Sequence, residues 1–188
     1  MANEINVLSG GAIKRGIADV AKAFESETGC KVNITFATAP AMREKVEKGE
    51  TGADVICAPV PSMKTFEDNN QVVKGTPIVA GSVMAGVVVK DGAHEPDISS
   101  ADSLKQAILD AEGLVYNKAS SGIYIEKMME NIGVADQVTA KTTRTPTGGG
   151  VMEHLIASSS KNEIGFGQMT EIMVFNGRGT HLVGPLPK

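Results

Sequence analysis

Tryptophan is absent from this 188-residue chain, and aromatic residues make up only 4% of it. That argues against a surface built to stack nucleic-acid bases or sugar rings. Basic residues do not exceed acidic ones: 18 Lys and Arg against 22 Asp and Glu give a net charge of −4. No basic stripe stands out, which speaks against a phosphate-backbone binder and a nucleic-acid partner. Cysteine is scarce. Cys30 and Cys57 allow at most one disulfide and have no metal-ligand spacing. Cys57 sits within Asp54-Val55-Ile56-Cys57-Ala58 and reads as a small core residue. Three scattered histidines, His94, His154 and His181, do not make a metal site. The longest apolar run, Val79 to Val89, is interrupted by Gly81, Ser82 and Gly86 and is too short to span a bilayer. The start, Met1-Ala2-Asn3-Glu4, has no signal-peptide pattern. That leaves a cytoplasmic protein or a mature exported chain with a start methionine.

Several catalytic signatures are missing as well. There is no G-x-x-x-x-G-K-[ST] loop and no G-x-S-x-G elbow. Gly165-Phe166-Gly167 lacks the third glycine of a dinucleotide fingerprint. Ser9, His154 and an aspartate have no spacing that supports a triad. His154 reads as a surface or packing residue, and Glu126 and Glu130 as a solvated helix face. Met128, Met129, Met169 and Met173 read as core filling, and Arg144 as the one cation to watch, against a plain loop charge. Neither an enzyme nor a cofactor is expected.

What is present is an alternation of short apolar runs and helical periodicity, the pattern of α/β organisation. Ile5 to Leu8, Lys31 to Phe36 and Val55 to Ala58 read as strands. Between them, Ile13, Ile17, Val20, Ala21 and Phe24 recur at helical spacing up to a stop at Gly29. Pro40 to Lys48 and Pro61 to Asn69 read as further helices. Two apolar strands, Ile78-Val79-Ala80 and Val83 to Lys90, mark a change of character, followed by a polar loop from Asp91 to Ser100. A second series then runs through a helix opening at Ser100-Ala101-Asp102 and a strand from Gly113 to Tyr116. It continues with a helix from Gly122 to Ile132, a strand from Ala140 to Thr143 and a helix from Gly149 to Ala157. A strand from Glu163 to Gly167, a helix from Met169 to Phe175 and a strand from His181 to Val183 complete it. The expected architecture is two α/β lobes, each a mainly parallel sheet flanked by helices. Lobe 1 takes residues 1–80 plus 181–188, and lobe 2 takes 81–180. Strands at Ile78–Val83 and Thr180–Val183 are expected to link them, so that a ligand closes a hinge.

Ligands of such folds bind outside the carboxyl ends of the strands. Four of those junctions share one chemistry: Ser9-Gly10-Gly11-Ala12, Thr38-Ala39-Pro40, Ser120-Ser121-Gly122 and Thr147-Gly148-Gly149-Gly150. Each puts hydroxyls and small residues at a helix start, where free backbone N–H groups carry about half a positive charge. Glycine lets a ligand come close to that backbone. Together they form a set of neutral donors for a small anion, with no lysine or arginine required. The same residues also serve as ordinary caps and turns.

The chain also resembles the periplasmic molybdate-binding proteins of ABC transporters. The resemblance lies in the order of Ile5-Asn6-Val7-Leu8-Ser9-Gly10-Gly11-Ala12, Ala23-Phe24-Glu25-Ser26-Glu27-Thr28-Gly29-Cys30-Lys31-Val32 and Gly52-Ala53-Asp54-Val55. Asp102-Ser103-Leu104-Lys105, Ser121-Gly122-Ile123-Tyr124 and Asn162-Glu163-Ile164-Gly165-Phe166-Gly167 extend it over nearly the whole chain. It implies a type II periplasmic binding fold, a small oxyanion as ligand, a periplasmic location and an ABC permease as membrane partner. By position it places the family's first serine at Ala12, or at Ser9 if the loop shifts, and its second at Thr38 or Ala39. The amide-bearing positions fall near Ser121 and Gly149, and the family's tyrosine falls at Gln168. The implied ligand-binding set is therefore Ser9, Gly10, Gly11, Ala12, Thr38, Ala39, Ser120, Ser121, Tyr124, Thr147, Gly149 and Gln168. Alanine at 12 and glutamine at 168 remove two hydroxyls that a molybdate site uses. A small organic carboxylate therefore stands as an alternative ligand, and a ligand-sensing domain of a regulator as an alternative role. The resemblance also implies a further strand and helix beyond Pro187. Without them lobe 1 would show apolar surface, so a homodimer covering it, or a shortened chain, is expected.

Overall fold

A computed structural model describes residues 4–187. They form two compact units, one ending at Ser82 and the other beginning at Val83.

In the first unit, β1 (Glu4–Gly10) leads through a 3₁₀ turn (Gly11–Ile13) into α1 (Lys14–Thr28). Then come β2 (Lys31–Ala37), α2 (Ala39–Glu47), β3 (Val55–Cys57) and α3 (Val60–Asp68). The sheet has the order β2-β1-β3 with both pairings parallel. Gly29 ends α1 in the left-handed region (φ 69°), the conformation glycine adopts without strain. Leu8 projects from one face of β1 into a core with Met42, Val46 and Phe66. The next residue, Ser9, turns to the opposite face, as the two-residue period of a strand requires. On that face α1 contributes no fully buried residue, and Val20, Phe24 and Val55 are exposed.

The expected strand at Ile78-Val79-Ala80 does not form. Residues 76–84 lie outside any helix or strand, and Ile78 and Val79 are 90% and 77% exposed. Pro77 lacks an N–H and Gly81 has no side chain to pack, so the apolar run has no ladder to join.

The second unit contains β4 (Ala85–Lys90), α4 (Ala101–Asp110), β5 (Gly113–Asn117) and α5 (Ser120–Asn131). It continues with α6 (Ala135–Val138), a 3₁₀ turn (Thr139–Lys141), β6 (Thr142–Thr145) and α7 (Gly148–Ala157). β7 (Glu163–Gln168), α8 (Met169–Phe175) and β8 (Thr180–Pro185) follow. The strand order is β6-β5-β7-β4-β8. β5 is parallel to both β6 and β7, whereas β4 runs antiparallel to β7 and β8. Every residue of β5 is buried, as in a strand covered on both faces. Leu114 and Tyr116 enter a core with Leu104, Ile108, Ile125 and Phe166. Val115 enters a second core with Val88, Val151, Leu155 and Ile172.

Two sequence expectations change here. The strand expected at Ala140–Thr143 starts later, at Thr142. The Thr139 hydroxyl donates to the Ala135 carbonyl at 2.8 Å and carries helical bonding past α6. The sequence pattern places the C-terminal strand in lobe 1, within residues 181–188. Instead β8 pairs along β4, with His181 opposite Val89 and Thr180 opposite Lys90, so it completes the second sheet. Thr180 to Val183 is therefore part of that sheet rather than a second linking strand. Lys188 lies outside the described residues.

Candidate functional site

In the first unit all three strands run the same way, so their carboxyl ends share one edge. Gly10 is opposite Ala37, and Ser9 is opposite Phe36 and Cys57. This edge brings together the Gly11–Ile13 turn, the start of α2 and the start of α3. Thr38 caps α2, its hydroxyl oxygen accepting from the Ala41 N–H at 3.4 Å. Ala39 opens the helix, and Pro40 in its first turn gives up an N–H that would have no helical partner there. Ser9 is fully buried and its hydroxyl donates to the Gly10 carbonyl at 3.3 Å. Its side chain therefore belongs to the packed sheet face, while Gly10 and Gly11 provide backbone at the edge. Cys57 is only half-buried, less than the core residue its sequence context suggests, and burial pushes its thiol up.

In the second unit the parallel strands β6, β5 and β7 end at one edge. Asn117 is opposite Thr145, and β7 reaches the same edge at Gln168. The starts of α5, α7 and α8 follow directly. Ser120, Ser121, Thr147, Gly149 and Gln168 are thus brought to a common edge. Tyr124 lies one turn into α5 and is 58% exposed.

The capping of α5 was not legible in advance. Its N-cap residue, Ala119, has no side chain that can cap, and Asn117 does the work from two residues upstream. Asn117 Oδ1 accepts from the Ala119 N–H at 2.8 Å and the Gly122 N–H at 3.1 Å. Its Nδ2 donates to Ser121 Oγ at 2.8 Å. All of this is buried: Asn117 is 1% and Ser121 8% exposed. An Asn at a strand end before a small-residue helix start is a local signal for such an Asx turn. One amide of the Ser120-Ser121-Gly122 junction, that of Gly122, is therefore already engaged. At α7, Thr147 Oγ1 accepts from the Gly150 N–H at 3.2 Å, an ordinary N-cap.

Arg144 is not a loop charge. It lies in β6, its guanidinium 4.5 Å from the centre of the Tyr116 ring, and donates to Glu126 at 2.8 Å and to the Asn117 carbonyl at 3.2 Å. Glu126 accordingly pairs with Arg144 rather than merely facing water, while Glu130 pairs with Lys127. His154 packs 3.4 Å from Glu163. Of the four methionines read as core, Met129 is buried and Met173 is 52% exposed.

Two polar groups at the second edge stand out. Gln168 Oε1 is buried and has no hydrogen-bond partner. Glu171, in the first turn of α8, lies against Gly148 at the start of α7, and burial alone pushes its carboxyl above the usual range. Sequence reasoning missed Glu171 because its neighbour across the fold is far away in the chain.

The comparisons with known proteins fit this architecture. The chain is 28% identical over 189 residues to an aconitate isomerase from a Pseudomonas species, covering 97% of this chain and 70% of that protein. It superposes on the substrate-binding domain of a putative molybdenum ABC transporter from Clostridium difficile with a TM-score of 0.69 at 16% identity, covering 98% of this chain and 79% of that one. The Azotobacter vinelandii periplasmic molybdate-binding protein gives a TM-score of 0.69 at 12% identity, covering 98% and 77%. At such identities the superpositions establish the fold, the type II periplasmic-binding-protein fold, and the resemblance read from the sequence holds. The profile of the family described as bacterial extracellular solute-binding protein matches residues 5–188. With that span covering nearly the entire chain, the protein belongs to the bacterial extracellular solute-binding protein family.

Proposed function

We propose that this protein is the periplasmic solute-binding component of an ABC importer and captures a small oxyanion with neutral donors. The observation that carries the reading is that, within each unit, parallel strands bring several helix starts to one edge. Those edges offer backbone N–H groups and hydroxyls with no cation among the proposed ligand residues. Aligned helix dipoles favour an anion there, and neutral donors release it without stranding a buried charge. Hinge closure belongs to the proposal, since a ligand held by both units favours the closed state by its differential affinity. Self-association through the exposed apolar face of α1 belongs to it too. Light scattering showing a single-chain mass would remove that part.

Calorimetric titration with molybdate, tungstate, sulfate and small carboxylates tests the main reading. At least one oxyanion is expected to release or absorb heat with a one-to-one endpoint; silence from all of them overturns it. A second reading, an organic tricarboxylate as ligand, draws on the isomerase relative and on glutamine at 168, where a tyrosine hydroxyl is absent. Aconitate in the same titration series separates the two. The proposal is non-catalytic, so the NMR spectrum of aconitate incubated with the protein is expected to stay unchanged. Appearance of the other geometric isomer would reassign the protein as an enzyme.

Ser121→Ala is expected to weaken anion binding by about 1 kcal/mol, roughly fivefold, through loss of one neutral donor. It also leaves Asn117 Nδ2 unpaired, so the melting temperature is expected to fall as well. Unchanged affinity would reduce Ser121 to a packing partner of Asn117.

A further inference from the structure

The third residue of a helix is where glutamate ordinarily turns back to cap its own N-terminus. Glu171 occupies that position in α8 but goes elsewhere. Its carboxylate lies in the space that a side chain at Gly148 would fill: a Cβ built there would stand 2.7 Å from Oε1 and collide with Oε2. Gly148 is the first residue of α7, so the acid rests against the start of that helix. Nearby in sequence, at the end of β7, the buried Gln168 Oε1 lacks a donor. Buried polar atoms without a partner are rare and call for an explanation.

No cation among the described residues explains the position of Glu171. α8 packs against α7, β4, β7 and β8. The charged or titratable side chains on those elements are Glu153, His154, Lys90, Glu163 and His181. Lys90 Nζ donates to the carbonyls of Ile156 and Ser158. His154 is beside Glu163, His181 is beside Glu95, and Glu153 is exposed. Desolvation is the whole cause of the raised carboxyl, with no charged neighbour contributing.

Resting on the anion-binding reading, we propose that Glu171 carries a proton into the site, so that anion capture by the second unit takes up one proton. Ionised, Glu171 repels an anion approaching the start of α7. Protonated, it becomes an O–H donor to that anion. The anions admitted are those that accept a hydrogen bond, carboxylates or oxyanions, and their affinity falls as Glu171 ionises.

Stability follows the same linkage. The folded-state value lies above the ordinary one, so at a pH between the two the native protein keeps a proton that the unfolded chain releases. The contribution is fully present below the ordinary carboxylate range and is lost as pH rises through the raised value. Glu171→Gln removes this dependence.

The test is a titration of molybdate, and separately of sulfate, into the full chain and into Glu171→Gln from about pH 5.5 to 8.5 in buffers of different ionisation heat. For the unaltered protein, Kd is expected to rise with pH towards tenfold per unit, with one proton taken up per anion. Glu171→Gln is expected to bind with a Kd that stays flat, and Glu171→Ala likewise but more weakly. An equal slope in the glutamine variant overturns the assignment, as does a flat profile in the unaltered protein that still binds an anion. Anion binding by none of the three overturns the solute-binding reading and this inference with it. Should a variant fold poorly, the proton count of the unaltered protein decides: none taken up sinks the proposal.

Discussion

Replacing Gly122 with alanine is expected to destabilise the second unit by about 3 kcal/mol or more, because the added methyl has nowhere to go. A Cβ at this position would collide with the backbone carbonyl of Asn117. A flexible side chain would give way, but this carbonyl is held. Asn117 is paired with Thr145 in the sheet, it is buried, and its oxygen accepts from Arg144 Nε at 3.2 Å. The helix must move instead, and that would pull the Gly122 N–H from Asn117 Oδ1. Denaturant unfolding gives the check. A midpoint equal to that of the unaltered protein would show that α5 can shift along the sheet at little cost.

Asn117→Ala is expected to cost about 3 kcal/mol, the sum of a lost helix cap and of buried partners left unsatisfied. The Ala119 and Gly122 amides both lose their acceptor, and Ser121 loses its donor. Asn117→Asp separates the structural role from the electrostatic one. The aspartate keeps the acceptor for both amides, and its charge suits the start of a helix. Stability is therefore expected to recover in large part. The same charge repels an anion, so affinity in the titration above is expected to fall roughly tenfold. If affinity for the anion instead follows stability across both variants, the edge at α5 is scaffold and takes no part in binding.

The two variants differ in how far the sequence foreshadowed them. Gly122 is visible in the sequence as the small residue at a helix start, within Ser120-Ser121-Gly122. Asn117 is not, because its hydrogen bonds run forward from the strand end, past the residues that resemble a cap. The capping threonines, Thr38 and Thr147, are where a strand-to-helix junction with local spacing puts them, and both accept from the amide three residues on. Such contacts depend only on nearby backbone, so chain order shows them.

Other side chains sit in surroundings that their residue type alone does not suggest. Ser9 reads as a donor to a ligand, yet strand alternation sends it into a buried sheet face. Arg144 and Glu126 look like independent surface charges, but β6 and α5 bring them to 2.8 Å. The apolar run at Ile78 and Val79 has strand composition but no neighbouring strand, and it stays exposed.

Periodicity and turn residues were enough to determine the alternation of strands and helices, the change of character near residue 80 and the small-residue helix starts. These follow from interactions a few residues apart, which the order of side chains encodes directly. Only the tertiary structure decided that β8 completes the second sheet. It alone also placed the Glu171 carboxylate in the space left by Gly148. Each depends on strand pairing or packing between distant segments, where the free energy comes from burial and register that no local pattern specifies.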